Sequence, residues 1–190
     1  AGSGKDFVRL AAPVRHCVNI QSRSDGAACC VNLGVTFDFL PEMRETMPSK
    51  TDASACEFRV RLAPEGQADF WWSYSRFGIF NRRTAHAIVR LFDRVGASFF
   101  SGFAQFPKPF SEITLDELRE SRHPARFPEF SLPTRVRLLL TTARVLVHIG
   151  ERDRAGRVAE LGIAEIESNG RQSGAGLLSA FRRLKGGEFA

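Results

Sequence analysis

The side chains in this chain whose types and spacing could do chemistry lie on alternating segments. Arg15, Asn19 and Gln21 share one side of Val14–Ser22, Asn32 lies on the matching side of 27–37, and Arg59 and Arg61, with Glu57, alternate along 56–62. Arg9, from a short segment upstream, is expected to join them. Each carboxamide offers donors and an acceptor, and each guanidinium is a rigid fork of donors. Such a surface recognises a carboxylate, a phosphate or a peptide backbone. A plainer reading stands beside it: a one-sided antiparallel sheet must present polar groups to water, or a helix covers the face and the amides satisfy its backbone. Asn is a poor strand former, yet Asn19 and Asn32 both fall in mid-segment, which favours a functional role. A second feature is Trp71-Trp72 with Tyr74 and Phe77. Neighbours on a strand point to opposite faces, so one indole must leave the core, either as a contact surface or packed beneath another element.

Motifs for catalysis fail one by one. Gly2-Ser3-Gly4-Lys5 resembles the end of a phosphate-binding loop, but it lacks the upstream strand and first glycine, and Asp6 stands where a magnesium-holding hydroxyl belongs. Gly174-Ala175-Gly176 follows no strand and is not a dinucleotide fingerprint. His16, His86, His123 and His148 are scattered without ligand spacing. His16 and Cys17, as strand neighbours, point apart, which is wrong for a nucleophile pair. No catalytic residue, metal ligand or cofactor is therefore assigned. An enzyme stays open only because catalytic groups need not be near in sequence.

The elements that must position these groups are readable from periodicity. Asp6–Ala11 is expected as a strand ended by Ala12-Pro13. Val14–Ser22 puts Val14, His16, Val18 and Ile20 on an apolar side, and 27–37 does the same with Cys29, Val31, Leu33, Val35 and Phe37. Ser24-Asp25-Gly26 joins them as a turn. In the 56–62 segment Cys56, Phe58, Val60 and Leu62 are expected inward, and Phe70–Tyr74 supplies a fifth short strand. The period then changes. Ala85, Ile88, Val89, Phe92, Val95 and Phe99 mark one helix over 82–100. The Pro-rich connection 105–133 is expected to be mostly irregular, with a short helix opened by the capping-box spacing of Thr114 and Glu117. Helices follow from Ser131 or Thr134 to Ile149, from Glu151 to Ser168 and from Ala175 to Lys185. Strands before helices predict a single α+β domain over 1–190: an antiparallel meander of four or five strands over 1–80, then a helical half over 81–190.

Composition narrows the class. The chain has 190 residues, ordinary hydrophobic and charged content, and 17 Phe against 2 Trp and 1 Tyr. Phe lacks a polar handle, so most of these rings belong in cores. The formal charge of +6 points towards nucleic acid, but the excess is Arg-dominated and spread out, with no block of like charge. The four cysteines, Cys17, Cys29, Cys30 and Cys56, read as reduced, buried thiols of a cytoplasmic protein, although Cys17 and Cys30 share a face and could be neighbours there. No signal pattern and no long apolar run is present, so neither secretion nor a membrane span is expected. The pair of helices over 134–168 has the length of one tetratricopeptide-like unit, more suited to packing than to peptide binding. Arg182, Arg183 and Lys185 flank the apolar stripe of the last helix, which is expected to dock back on the domain.

The segments Gly2–Phe7, Val18-Asn19-Ile20-Gln21-Ser22, Val31-Asn32-Leu33-Gly34-Val35, Cys56–Leu62 and Asp69-Phe70-Trp71-Trp72 together resemble an uncharacterised bacterial family, the domain-of-unknown-function family numbered four-three-zero-four. The likeness covers roughly residues 1–104 and implies an α+β domain with no established activity. Members usually carry a helix upstream of the Gly-Ser-Gly segment, so such a helix is expected to be missing from this sequence. The resemblance supplies no catalytic residue.

These readings converge on a cytoplasmic, non-enzymatic binding protein that holds a protein partner through Arg15, Asn19, Gln21, Asn32, Arg59 and Arg61, with Trp71 or Trp72 as aromatic contact. An immunity-like or toxin-neutralising role fits without being required. One alternative is a nucleic-acid-binding module using Arg83, Arg90 and Arg94. Another is a small hydrolase or transferase of unidentified substrate.

Overall fold

The computed structural model describes residues 4–40, 53–67, 69–75, 78–120, 124–127, 134–168 and 175–188. They form two compact units, one within residues 1–104 and the other within 105–127 and 132–190.

The first unit is built on an antiparallel sheet. Strands β1 (Gly4–Ala11), β2 (Val14–Ser22), β3 (Ala28–Phe37) and β4 (Phe58–Arg61) lie side by side in chain order, and β5 (Trp72–Ser73) pairs with β3 farther along the edge that β4 occupies. The meander follows from its turns. Pro13 has no amide donor and stops the β1 ladder after Ala11. At the second turn Gly26 adopts φ 68°, a left-handed conformation that costs glycine least. Beside it the Asp25 carboxylate pairs with Arg23 and accepts the Ala27 N–H at 2.9 Å. Those donors hold the Asp25 carboxyl below the usual range.

One face of the sheet carries the core. Val31, Leu33, Val35, Phe37 and Phe58 are all buried. The Phe58 and Phe103 rings meet at 4.7 Å between centroids, and Phe37 meets Phe58 edge-on at 6.3 Å. Burying each such side chain contributes on the order of 1.5–3 kcal/mol. Helix α1 (Gly78–Leu91) runs through a π-helical turn, Phe92–Gly96, into α2 (Ala97–Ser101). The uniform helix expected over 82–100 thus starts earlier and carries one widened turn. Gly96 closes this turn, and a Cβ there would stand 2.8 Å from the Phe92 ring and 3.1 Å from Leu33, so a bare backbone lets the helix lie close to β3.

The second unit is helical. Short helices α3 (Lys108–Ser111) and α4 (Leu115–Glu120) lie inside the stretch expected to be mostly irregular. The capping box of α4 is reciprocal: Glu117 N–H donates to Thr114 Oγ1 at 3.1 Å and Thr114 N–H to the Glu117 carboxylate at 2.8 Å. Helices α5 (Arg135–His148), α6 (Arg152–Ser168) and α7 (Ala175–Lys185) pack on one another. Thr134 caps α5, accepting from the Arg137 N–H, and Gly150, at φ 85°, ends the turn after it. The apolar stripe of α7 is used inside the unit, with Phe181 fully buried and lying over Gly162 of α6. Its flanking Arg182 and Lys185 pair with Glu167 and Glu160 of α6.

Candidate functional site

The sheet register gathers the amides and one guanidinium into a single row. Asp6 stands opposite Asn19, Asn19 opposite Asn32, and Asn32 opposite Arg61, so four strands contribute one polar side chain each on the face away from the core. Hydrogen bonds join them end to end. Arg61 Nε donates to Asn32 Oδ1 at 3.1 Å, Asn32 Nδ2 to Asn19 Oδ1 at 3.1 Å, and Asn19 Nδ2 to Asp6 Oδ1 at 2.8 Å. Asp69 pairs with Arg61 at the far end, whose guanidinium also lies 5.5 Å over the Trp71 ring.

The direction of the row is dictated by its ends. A carboxylate only accepts and a guanidinium only donates. Asn19 must therefore turn its nitrogen to Asp6, which leaves its oxygen for Asn32, whose own oxygen meets Arg61. Asn19 and Asn32 sit half-buried, and Gln21 is exposed, its oxygen accepting from Asn32 Nδ2 at 3.4 Å. Cys30 Sγ also approaches that oxygen, at 3.7 Å.

The other expected residues hold the margins of the face. Arg15 stands opposite Thr36 and Leu10, half-buried, and its Nε is shielded without a hydrogen-bond partner. Arg59 faces Gly34 and donates to the Ser54 carbonyl at 2.9 Å, so it belongs to the approach to β4 and not to the row. Trp72 pairs opposite Cys29 on the apolar side, its ring edge-on to Phe70 at 4.7 Å between centroids. The two indoles divide between the faces, as adjacent strand residues must, and Trp71 is the one beside the polar row.

Three placements differ from the sequence expectation. Arg9 pairs opposite His16, on the apolar side, because Asp6, Val8 and Leu10 take the outer parity of β1. Asp6, overlooked in the polar set, is the row's anionic end. β1 has apolar residues on both parities, so only the register, which sets Asp6 opposite Asn19, reveals it. Cys56 precedes β4 and buries with Cys17 and Ala53 on the side of the polar row, not beside Phe58. A glycine at position 34 makes room for it, since a Cβ there would stand 2.6 Å from Cys56 Sγ.

All four cysteines are buried and none is in a disulfide. Cys17 and Cys30 share a face, but the Asn19–Asn32 row separates the row of Cys17 from that of Cys30, and no bridge joins them. Burial pushes the Cys29 thiol up, aided by Cys30 beside it. On the apolar side His16 stacks on Phe100 at 4.6 Å between centroids, and burial, with Arg9 opposite, holds its imidazole below the usual value. Among the described residues no group of three or more His, Cys, Asp or Glu side chains is placed to hold a metal ion. No helix among them is long and apolar enough to cross a membrane. Arg83, Arg90 and Arg94 are exposed along α1 and the π-helical turn, as ordinary solvated cations are.

A family model described as "Domain of unknown function (DUF4304)" matches residues 1–102, which take in the whole sheet and the α1–α2 helix. No curated protein and no solved structure matches the chain.

Proposed function

Since the chain belongs to the DUF4304 family, a domain of unknown function, we propose from its chemistry that it is a non-enzymatic, cytoplasmic protein-binding module, with the outer face of the sheet as its contact surface. The observation that carries this reading is the exposure of Val8 at 46% and Leu10 at 69% on the same face as the Asp6–Asn19–Asn32–Arg61 row. Large aliphatic side chains beside a fixed polar row give a partner both an anchor and a register. Apolar anchors with a polar surround are the usual make-up of a protein interface. Because the row's amides already satisfy one another, it offers a preorganised pattern that loses little freedom on binding. Trp71, covered by Arg61, adds an aromatic contact at the other end. Buried thiols outside any disulfide are what a reducing compartment maintains, which supports the cytoplasmic placement.

The test is capture of a protein partner by immobilised full chain, followed by recapture with variants whose far-UV spectra and cooperative melts show them folded at the capture temperature. Leu10→Glu, and the pair Arg59→Ala with Arg61→Ala, are expected to lose the partner, whereas Arg90→Ala on α1 retains it. Undiminished capture by both sheet-face variants would overturn the assignment. Binding of nucleic acid at low salt, steeply weakened as salt rises, would favour the helix arginines instead.

A further inference from the structure

On the opposite side of the sheet, between the β1–β2 hairpin and the π-helical turn with α2, lies a cavity of about 590 Å³. That size falls within the range of about 300–1,000 Å³ typical of small-molecule sites. Its walls are mostly apolar, with Phe7, Val18, Phe92 and Phe100 prominent among them. Among the described residues Arg9 is the one charged side chain lining it, and none of them sets a carboxylate there to neutralise that charge. Arg9 forms no ion pair with any described residue. His16, directly opposite Arg9 on β2, forms part of the floor with its ring stacked on Phe100. Its Nε2 is shielded and has no hydrogen-bond partner, so the protein leaves a polar demand unmet beside the unneutralised cation.

We infer that this cavity binds a small molecule with an apolar body and a single carboxylate head, of the medium-chain fatty acid class. The body lies against the phenylalanines and the head pairs with Arg9. An apolar ligand without the anion would leave Arg9 unmatched, and a compact polar anion would leave the aromatic walls wet. The Arg9 guanidinium suits a carboxylate because its fork meets both oxygens at once. Phe7, 54% exposed at the edge of the cavity, is placed to fold over the ligand's tail. Phe92 of the π-helical turn lines the far wall beside Ala97 and Phe100 of α2, which accords with such turns recurring at binding sites.

Calorimetric titration of the full chain with octanoate, octanol and butyrate tests this. Octanoate is expected to bind saturably with one equivalent per chain, more tightly than octanol, while butyrate, which has the head without the body, binds weakly. Arg9→Gln is expected to weaken octanoate about tenfold, as loss of a charge-assisted pair does, and to leave octanol unchanged. Ala97→Trp, at an exposed position in the wall, is expected to abolish both. Arg9 is exposed too, so neither substitution disturbs the core, and matching melting curves verify this. The inference is overturned if wild type takes up no octanoate at millimolar concentration, if octanol binds as tightly as octanoate, or if Arg9→Gln and Ala97→Trp leave octanoate binding intact. None of these results depends on the sheet-face partner.

Discussion

Asn19 Nδ2 donates to the Asp6 carboxylate at 2.8 Å across the β1–β2 pair, and this bond sets the direction of the amides behind it. Asn19 cannot turn its oxygen to Asp6 without placing acceptor against acceptor, and Asn32 is oriented in turn by Arg61. The row therefore behaves as one unit.

Such a unit predicts non-additive losses. Asn32→Ala is expected to cost about 1–2 kcal/mol, because it unpartners Asn19 Oδ1 and Arg61 Nε together, both close enough to water to be partly compensated. Asn19→Ala is expected to cost a similar amount. The double variant should cost less than the two added together, with a coupling on the order of 0.5–1.5 kcal/mol. Urea denaturation of the four proteins measures this, and strict additivity would show that the bonds act separately.

The two faces of the sheet were legible in the alternation of Val14–Ser22 and 27–37, and so were the helix boundaries wherever a cap or glycine marks them, as at Thr114, Thr134 and Gly150. The row was not. Which residues share a face follows from parity along one strand, but which residues meet depends on register between strands. Register is set by turn geometry and, for β4, by packing after a long connection. Arg9 and Asp6 exchanged roles because β1 is mixed in character, with Phe7, Val8 and Leu10 giving no clear apolar parity. Cys56 lay one turn before the strand it was assigned to, where bare backbone at Gly34 admits it. The π-helical turn has no periodicity signal of its own, since one extra residue shifts the apolar stripe by less than a full helix face.

Two glycines of the same helix, α6, predict opposite outcomes. Gly156 has open space where a Cβ would stand, so Gly156→Ala is expected to stabilise the protein by about 0.5–1 kcal/mol through helix propensity. At Gly162 the Cβ would stand 2.3 Å from the buried Phe181 ring. Gly162→Ala is therefore expected to destabilise by about 1–3 kcal/mol. Thermal melts separate the two, and Phe181→Leu in the Gly162→Ala background should recover part of the loss.

His16 predicts a pH dependence of stability. Burial first, and Arg9 second, hold its folded-state value below the ordinary 6.5. Between the two values the unfolded chain binds the proton and the folded chain does not, so acid favours unfolding. The contribution is complete above the unfolded value and is lost as pH falls through the folded one, with a slope that cannot exceed about 1.4 kcal/mol per pH unit. The stability difference between wild type and His16→Phe, followed by denaturation from pH 7 to pH 5, should shift towards the variant. A difference that stays flat would mean that the imidazole is as easily protonated in the fold as outside it.

In the helical unit Arg154 does work that no local pattern announces. From the first turn of α6 its guanidinium donates to the Ser111 carbonyl at 2.8 Å and to that of Ile113, while also pairing with Glu151. Ser111 closes α3 and Ile113 lies in the link to α4, so neither carbonyl has an intrahelical donor. One planar fork thus serves two acceptors that are two residues apart. A lysine, with a single ammonium at the tip of a flexible stem, reaches one of them at a time. Arg154→Met is expected to cost about 1.5–3 kcal/mol, the range for hydrogen bonds made by a charged group at a partly buried site. Arg154→Lys should recover less than half of that. Hydrogen exchange locates the effect: the α4 amides, Leu118 among them, should lose protection in both variants, while those of β2 and β3 keep theirs. Equal loss in the sheet would mean that the whole chain unfolds as one unit and that Arg154 secures no local segment.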